Sequence, residues 1–365
     1  MKRIFAVMLF IMLLLLTGCP DKNEKSNSDK TEVKIERIDK KAAEEFLNNY
    51  MFHAMKRDIN AMSSYYSSNL KQNYNVSKVL DEPRPVGYKI ETEGEESEYK
   101  VHVFNAYLGY PYFSDDVFKY KIILKDGKML IDEIKRETST EIYSKGKKLY
   151  KRMEENSKEE FVISLDELPN FVSAQNMLSL EQKYQVPKKK FGPCAVNSEG
   201  DMFVISSVDE NSFVGVVKLE EQVFKVAEKG QEETQGTQQD KEDEEKEEKE
   251  QKQVKFKALD YFLNKVINLV IISPDGKKIL VVTEDKRGKS DIKAYNSDDG
   301  TLIELSFESQ FKGDVFSLKD PFFISDKEFV FKVDVKSGAT QEEKKLKGDW
   351  IYDFESKKFR QIKQF

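Results

Sequence analysis

The chain has 365 residues, of which 39% are hydrophobic and 35% are charged. The charged share exceeds the roughly 25% of an ordinary globular protein, and the length suffices for about two domains. The formal net charge of −6 lacks the basic excess of nucleic-acid-binding proteins, so we expect no nucleic-acid partner. Two cysteines exclude a disulfide-stapled scaffold, and two histidines are too few for most His-rich metal sites.

The start of the chain has the pattern of an export signal. Lys2 and Arg3 precede an almost unbroken apolar run from Ile4 to Leu16. At about 1.5 Å per residue, a helix of this length is too short to cross a bilayer core of about 30 Å. A basic start, a short apolar run and small residues after it indicate a secretory signal rather than a transmembrane helix.

The apolar run ends in Leu16, Thr17, Gly18 and Cys19, which resembles the lipobox of bacterial lipoproteins. The resemblance implies cleavage before Cys19 and a diacylglycerol on its sulfur. Two or more acyl chains hold a protein stably on a membrane, which one chain does not. We therefore expect a signal peptide at residues 1–18, a flexible tether at 19–32, and a lipid anchor at the extracytoplasmic face of the cell membrane. An ordinary secretory signal with a chance cysteine is the alternative.

Residues 33–138 are predicted to form an α+β domain. Apolar residues recur at helical spacing from Asp39 to Tyr74, and Asp58 stands at a break where its carboxylate can cap a second helix. The period changes to two from Val86, and Asp126-Gly127 is typical of a hairpin turn. Two helices followed by a curved antiparallel sheet resemble the cone-shaped fold of the nuclear-transport-factor-2-like superfamily.

The resemblance implies a pocket between helices and sheet, where enzymes of that superfamily place an Asp or His base. The candidate pocket residues are Asp58, Tyr66, His102 and Tyr107. Each also has a structural explanation, Asp58 as a helix cap and the tyrosines as ordinary residues of their elements. His102 alternates with Val101 and Val103, so it enters the cone only if both valines face outward.

Residues 139–190 are predicted to be a helical connector, because the charged segment 140–156 is typical of a helix, with a strand expected from Phe161 to Leu165. It ends in the basic triplet Lys188-Lys189-Lys190. A solvated loop is the simpler interpretation of this triplet. Contact with an anionic cell-surface polymer is the functional one.

Residues 191–365 contain three copies of an apolar strand, a polar turn and a second apolar strand, centred on Ser198, Ser273 and Ser325. The turn Ser273-Pro274-Asp275-Gly276 resembles the blade repeat of WD-like and Tol-system-type β-propellers. The resemblance implies a mostly β, propeller-like domain. A closed propeller needs at least four blades, so an open or partial propeller and a β-sandwich remain alternatives.

An acidic insertion at residues 229–253 interrupts this domain. Its 25 residues include ten acidic side chains, five lysines and no apolar side chain. Such a segment cannot bury surface to offset its ordering entropy, so we expect a disordered linker. With Cys19 lipidated, Cys194 is the remaining thiol, and we expect it to be buried and inert.

No phosphate-binding glycine loop, zinc-protease motif, nucleophile elbow or CxxC pair is present in the sequence. We therefore expect no enzyme activity, no catalytic or metal-binding residues and no cofactor. The leading hypothesis is a binding, scaffolding or sensing role at the cell envelope, with an unknown envelope protein or cell-surface polymer as partner. The alternatives are an enzyme that uses the cone pocket and a solute-binding lipoprotein.

Overall fold

The computed structural model describes residues 38–73, 83–91, 97–154, 156–173, 183–220 and 253–362. The chain from Ile38 to Phe365 forms one compact unit, built mostly of antiparallel β-sheets. The predicted signal peptide, the predicted tether and all of the acidic insertion except Gln253 lie outside the described residues. Within the described ranges, no helix combines the length and apolar character needed to cross a membrane.

Three helices open the described chain. Asp58 caps the second of them by accepting the Ala61 N–H at 3.1 Å, as predicted. Just before it, Arg57 has a left-handed φ of 55°, which closes the first helix in the way that glycine usually does. A helix end followed at once by a helix start turns the chain sharply. The helices are α1 (Lys40–Met55), α2 (Ile59–Ser64) and α3 (Ser68–Asn73).

The helices pack on one face of a six-stranded sheet, called sheet 1, in which strands adjacent in sequence are paired. Leu47 of α1 and Val101 and Ile122 of the sheet have no exposed surface in this core. Asp126 and Gly127 both have positive φ, 53° and 71°, so the predicted hairpin turn is confirmed. The strands are β1 (Arg84–Glu91), β2 (Glu98–Ala106), β3 (Tyr112–Lys125), β4 (Lys128–Lys145), β5 (Lys148–Met153) and β6 (Glu160–Ser164).

The predicted helical connector at residues 139–190 is wrong over 140–156, because β4 continues to Lys145 and β5 pairs with it in sheet 1. The alternation is real but carried by few residues. Ile142 and Leu149 are fully buried, whereas Tyr143 and Tyr150 beside them are partly exposed. Charged residues fill most of the surrounding positions, so the alternation of buried and exposed side chains is not visible in the sequence. No domain boundary therefore falls at residue 138.

Sheets 2, 3 and 4 follow along the chain and are antiparallel, and with one exception in sheet 2 each strand pairs with a neighbour in sequence. A small pair of strands, β7 (Phe171–Ser173) and β8 (Lys183–Gln185), precedes them. Sheet 2 comprises β9 (Lys190–Phe191), β10 (Ala195–Val196), β11 (Met202–Val208), β12 (Ser212–Glu220) and β13 (Gln253–Phe262). Sheet 3 comprises β14 (Lys265–Ile272), β15 (Lys278–Asp285), β16 (Ser290–Asn296) and β17 (Leu302–Ile303). Sheet 4 comprises β18 (Phe316–Phe323), β19 (Glu328–Val335), β20 (Gly348–Asp353) and β21 (Lys358–Gln361), with helix α4 (Gln341–Lys344) between β19 and β20.

Each predicted repeat forms one hairpin in one of these three sheets. In the second copy the Ser273 hydroxyl accepts the Lys278 N–H at 2.9 Å, and in the third the Ser325 hydroxyl accepts the Glu328 N–H at 3.1 Å. In the first copy Asn197 fills this position, because its side chain accepts the Met202 N–H at 3.0 Å. The predicted alignment on Ser198 is therefore wrong by one residue.

The four sheets contact one another in a closed order. Sheet 2 packs on sheet 1 through β10 and β3, on sheet 3 through β11 and β14, and sheet 3 packs on sheet 4 through β16 and β18. Sheet 4 then returns to sheet 1 through β18 and β1. Sheet 1 therefore occupies the fourth position that the three repeats leave open, an arrangement consistent with a propeller-like fold.

A buried polar group joins sheets 2 and 3. Asp260 of β13 is 2% exposed and accepts hydrogen bonds from the Tyr295 hydroxyl at 2.7 Å and the Lys293 ammonium at 3.0 Å. Both partners belong to β16. The Lys293 ammonium also lies 4.9 Å from the centre of the Phe262 ring. A carboxylate held in this way depends on all of its donors, because burial removes it from water.

We predict that Asp260→Ala lowers the free energy of unfolding by about 2 to 4 kcal/mol, because the buried Tyr295 hydroxyl and the partly exposed Lys293 ammonium both lose their acceptor. Urea denaturation at neutral pH measures the change. Asp314→Ala, at an exposed loop position, is the matched control and should leave the stability essentially unchanged. Equal stability of the two variants would contradict the assigned role of Asp260.

Candidate functional site

The structure does not bring the four predicted pocket residues together. Asp58 caps α2 at the surface, and Tyr66 is buried beneath the helices with its hydroxyl 2.9 Å from that of Tyr50. Tyr107 lies in the turn between β2 and β3 and is 41% exposed. His102 projects from the face of sheet 1 opposite the helices, because Val101 and Val103 are buried on the helical side. Within the described residues these side chains form no common cavity.

His102 lies between two carboxylates. Its Nδ1 is 3.0 Å from both oxygens of Asp115, and its Nε2 is 3.0 Å from Glu91. A neutral imidazole donates from one nitrogen only, so the protonated ring satisfies both contacts. The hydrogen bond to Asp115 is the main cause that raises the pKa of His102, and burial opposes it. In its protonated form the histidine donates to both carboxylates at once and so joins β1, β2 and β3.

A wide cleft lies where α1 meets sheet 4. Its volume is about 1360 Å³, and Asp58 is one of its lining residues. The end of α1 and the turn at Arg57 form one wall, and β19, β20 and the segment around α4 form the other. Phe322 and Val330 lie at its base, 3% and 1% exposed. A rim of polar groups over an apolar base is typical of binding clefts.

Cationic side chains outnumber acidic ones in this cleft. Asp349 is neutralised by the Lys56 ammonium at 2.6 Å, and Asp320 by an ion pair with Arg84. Lys344 and Lys347 are exposed, and the described residues include no ion-pair partner for either. The cleft is therefore positive, although the whole chain is acidic. The cationic lining residues are Lys56, Arg57, Arg84, Lys332, Lys344 and Lys347, and the acidic ones are Asp58, Asp320 and Asp349.

Hydrogen bonds fix the backbone of the segment that carries the two exposed lysines. Lys344 is the last residue of α4, and Lys347 lies in the turn that follows it. Thr340 and Glu343 form a capping box at the start of this helix. Past its end, the Gln361 amide donates to the carbonyl groups of Lys345 and Lys347, at 2.9 and 3.2 Å. The backbone that carries the lysines is thus fixed by β21 while their side chains extend over the cleft.

Sequence reasoning missed this cleft. It weighed the triplet Lys188-Lys189-Lys190 as the dense basic cluster, but Lys188 donates to the Leu168 carbonyl at 2.7 Å and Lys189 pairs with Asp209 at 2.9 Å. The Lys344-Lys345 pair with Lys347 was an equal signal in the sequence. Its partners Lys56, Arg84 and Lys332 come from distant segments, which no local pattern connects.

The remaining chemistry of the described residues is limited. No cluster of three or more His, Cys, Asp or Glu side chains has a metal-binding arrangement within the described ranges. Cys194 is 1% exposed, and burial raises the pKa of its thiol to about 12. The expectation that this thiol is buried is therefore confirmed.

Comparisons with known proteins find similarity only at the level of remote structure. No protein-family model matches the chain, and no curated protein matches its sequence. TolB from Acinetobacter baumannii aligns over 80% of this chain and 72% of its own, at 10% identity and a TM-score of 0.33. A putative 6-phosphogluconolactonase from Bacteroides uniformis aligns over 74% and 68%, at 10% identity and a TM-score of 0.25. The Cps50 (Swd1) β-propeller domain of Myceliophteria thermophila covers 61% of this chain and 86% of its own, at 7% identity and a TM-score of 0.25. At such scores the alignments carry no argument about the site.

We predict that the His102 bridge makes stability depend on pH. Because the folded pKa is raised above the ordinary value of about 6.5, the contribution is fully present below that pH and is lost as the pH rises through the folded pKa. Urea unfolding from pH 5.5 to 9 should show this loss in the wild type, and His102→Gln should flatten it. His53→Gln, at the other histidine, is the control that should keep the wild-type slope. An unchanged slope in His102→Gln would refute the bridge.

Proposed function

We propose that this chain is a lipid-anchored, extracytoplasmic lipoprotein with a non-catalytic binding role at the cell envelope. The positive cleft between α1 and sheet 4 is the observation that carries the binding role. The lipobox Leu16 to Cys19 supports the anchor, since it supplies the small residues and the thiol that lipid attachment requires. The anchor would keep the cleft beside the membrane, where envelope proteins and polymers are its available partners.

The partner that suits the cleft best is an acidic segment of an envelope protein. Lys332, Lys344 and Lys347 supply the charge for carboxylates, and the long stems of these lysines add apolar contact. Phe52 lies beside the base with its ring 6.2 Å from that of Phe322, which gives apolar side chains of the segment a surface to contact. A cell-surface polymer with phosphate charges is the competing partner, and it would use the lysines alone.

A catalytic role in a cone pocket has less support. Asp58 and Tyr66 lie on the helical side of sheet 1, whereas His102 is on the opposite face, so acid and base groups do not converge. We retain the cone-type origin of residues 33–138 as part of the proposal, because helices do precede an antiparallel sheet there. A solute-binding role has no specific observation in its favour.

We predict that metabolic labelling with a fatty-acid probe tags the mature protein, and that Cys19→Ala abolishes the label. The thiol of Cys19 is the nucleophile that the lipobox resemblance places at the cleavage site, so its removal leaves no atom for the thioether bond. Cys194→Ala is the control and should keep the label, since that thiol is buried. An unlabelled wild-type protein, or a mature terminus at another residue, would refute the anchor.

We predict that the triple variant Lys332→Glu, Lys344→Glu and Lys347→Glu weakens binding of a polyglutamate peptide by roughly tenfold or more, because three favourable contacts become repulsive. The affinity of the wild type should also fall as salt rises. The matched control reverses three exposed lysines outside the cleft, Lys128, Lys277 and Lys286. Equal affinities of the two triple variants would refute the cleft as the site.

The same two triple variants serve as baits in detergent extracts of the envelope. An envelope protein captured by the wild type and the control, but lost from the cleft variant, would be the proposed partner. Polyphosphate provides the second defined probe. Tighter binding of polyphosphate than of polyglutamate, with the same dependence on the cleft lysines, would reassign the partner to a phosphate-bearing polymer.

A further inference from the structure

The turn between β2 and β3 exposes a group of large apolar side chains. Leu108 is 50% exposed and Tyr110 is 68% exposed, the latter being the most exposed large hydrophobic side chain in the described ranges. The turn is tight, since Gly109 has a left-handed φ of 76°, and it is anchored by a 2.8 Å hydrogen bond from the Gly109 N–H to the Asn268 carbonyl. The apolar side chains are therefore presented by a fixed backbone.

The anchoring hydrogen bond places this turn against β14 of sheet 3. Val266, two residues before Asn268 on that strand, is 42% exposed. We call residues 107–111 together with Val266 the apolar tip. Scattered single apolar residues are normal on protein surfaces, whereas a contiguous exposed group marks an interaction site.

Lysines flank the apolar tip. Tyr112 pairs with Tyr143 across β3 and β4, so the turn between β4 and β5 lies at the same end of sheet 1 as the tip. That turn carries the exposed residues Lys145, Lys147 and Lys148, of which Lys145 pairs with Glu159 at 2.6 Å and Lys147 with Asp166 at 3.2 Å. Tyrosine and leucine with neighbouring lysines are the side chains that settle at a membrane–water boundary, where the rings bury their bodies and the ammonium groups stay in water.

We propose that the apolar tip is a second contact with the membrane, which orients the folded unit on the bilayer. This inference rests on the proposed function, because the lipid anchor is what holds the protein at a membrane. Nineteen residues, 19–37, separate the lipidated position from the described unit. A flexible chain of that length has a root-mean-square span of about 25 Å and a maximum of about 65 Å, so the bilayer stays within reach.

Tethering is what makes so small a contact effective. A few partly buried side chains bind a membrane weakly when the protein is free in solution. A covalent anchor turns the second contact into an intramolecular event at high effective concentration. The apolar tip therefore needs only modest affinity to hold the unit in one orientation.

The test uses the lipidated full chain reconstituted into vesicles with brominated acyl chains. Tyr110→Trp places a fluorophore at the tip, against the native Trp350, which is 5% exposed and provides a constant background. We expect a blue-shifted emission that brominated lipid quenches. Leu302→Trp is the control, because Leu302 is 37% exposed and pairs with Tyr295 at the end of sheet 3 opposite Val266. Its emission should not be quenched.

Each outcome decides the proposal. Quenching at Tyr110→Trp alone supports the tip contact, whereas no quenching, or equal quenching of both variants, overturns it. If fatty-acid labelling shows that Cys19 carries no lipid, the anchor fails separately. The unlipidated Cys19→Ala chain added to vesicles then tests the tip by itself. In that assay the double variant Leu108→Ser and Tyr110→Ser should lower vesicle binding by roughly tenfold, and unchanged binding would overturn the contact.

Discussion

Closure of the sheets is the constraint on which the rest of the structure depends. Three repeats give three sheets, and three sheets leave one apolar flank of sheet 2 and one of sheet 4 without cover. Sheet 1 covers both, through β3 against β10 and β1 against β18. The resulting core is continuous, since Phe113 and Ile142 of sheet 1 belong to the same buried cluster as Phe203, Ile271 and Phe331. The N-terminal part is thus a structural member of the β-rich part.

The location of the cleft follows from this closure. Helices pack on one face of sheet 1, so a step in the surface arises where α1 ends beside sheet 4. Arg84 and Asp320 join β1 to β18 at this step, and Lys56 and Asp349 join α1 to β20. These two ion pairs also neutralise Asp320 and Asp349, which are two of the three acidic side chains that line the cleft. Among the described residues, Lys345 of the α4 segment pairs with Glu342, whereas Lys344 and Lys347 have no ion-pair partner.

The local structure was predictable from the sequence where the pattern was strong. The cap at Asp58, the Asp126-Gly127 turn and the hairpins at Ser273 and Ser325 all depend on side chains within a few residues of one another. The first half of β4 was recognised, but its second half and β5 were not, because residues 135–141 contain no apolar side chain and charged residues dominate this stretch. The register of His102 could not be decided either, since Val101 and Val103 fit either face until the helices are placed.

The contacts between distant segments had no sequence signal. The cleft brings together α1, β1 and sheet 4, and the three repeats do not indicate that a non-repeated sheet completes the ring. Asn197 illustrates the same limit on a smaller scale. An amide oxygen can do the work of a serine hydroxyl at a turn, so an alignment based on residue identity selected the neighbouring Ser198 instead.

The contact between β1 and β18 also affects how the chain folds as it is synthesised. Its ion pair joins residues 236 positions apart, so sheet 1 is synthesised long before the strand that covers it. Until then its flank is an open edge of apolar side chains, a surface prone to aggregation. Such non-local pairing is slow to form, because the loop must close before the contact stabilises it. A nascent chain of this kind is a natural client for a folding chaperone.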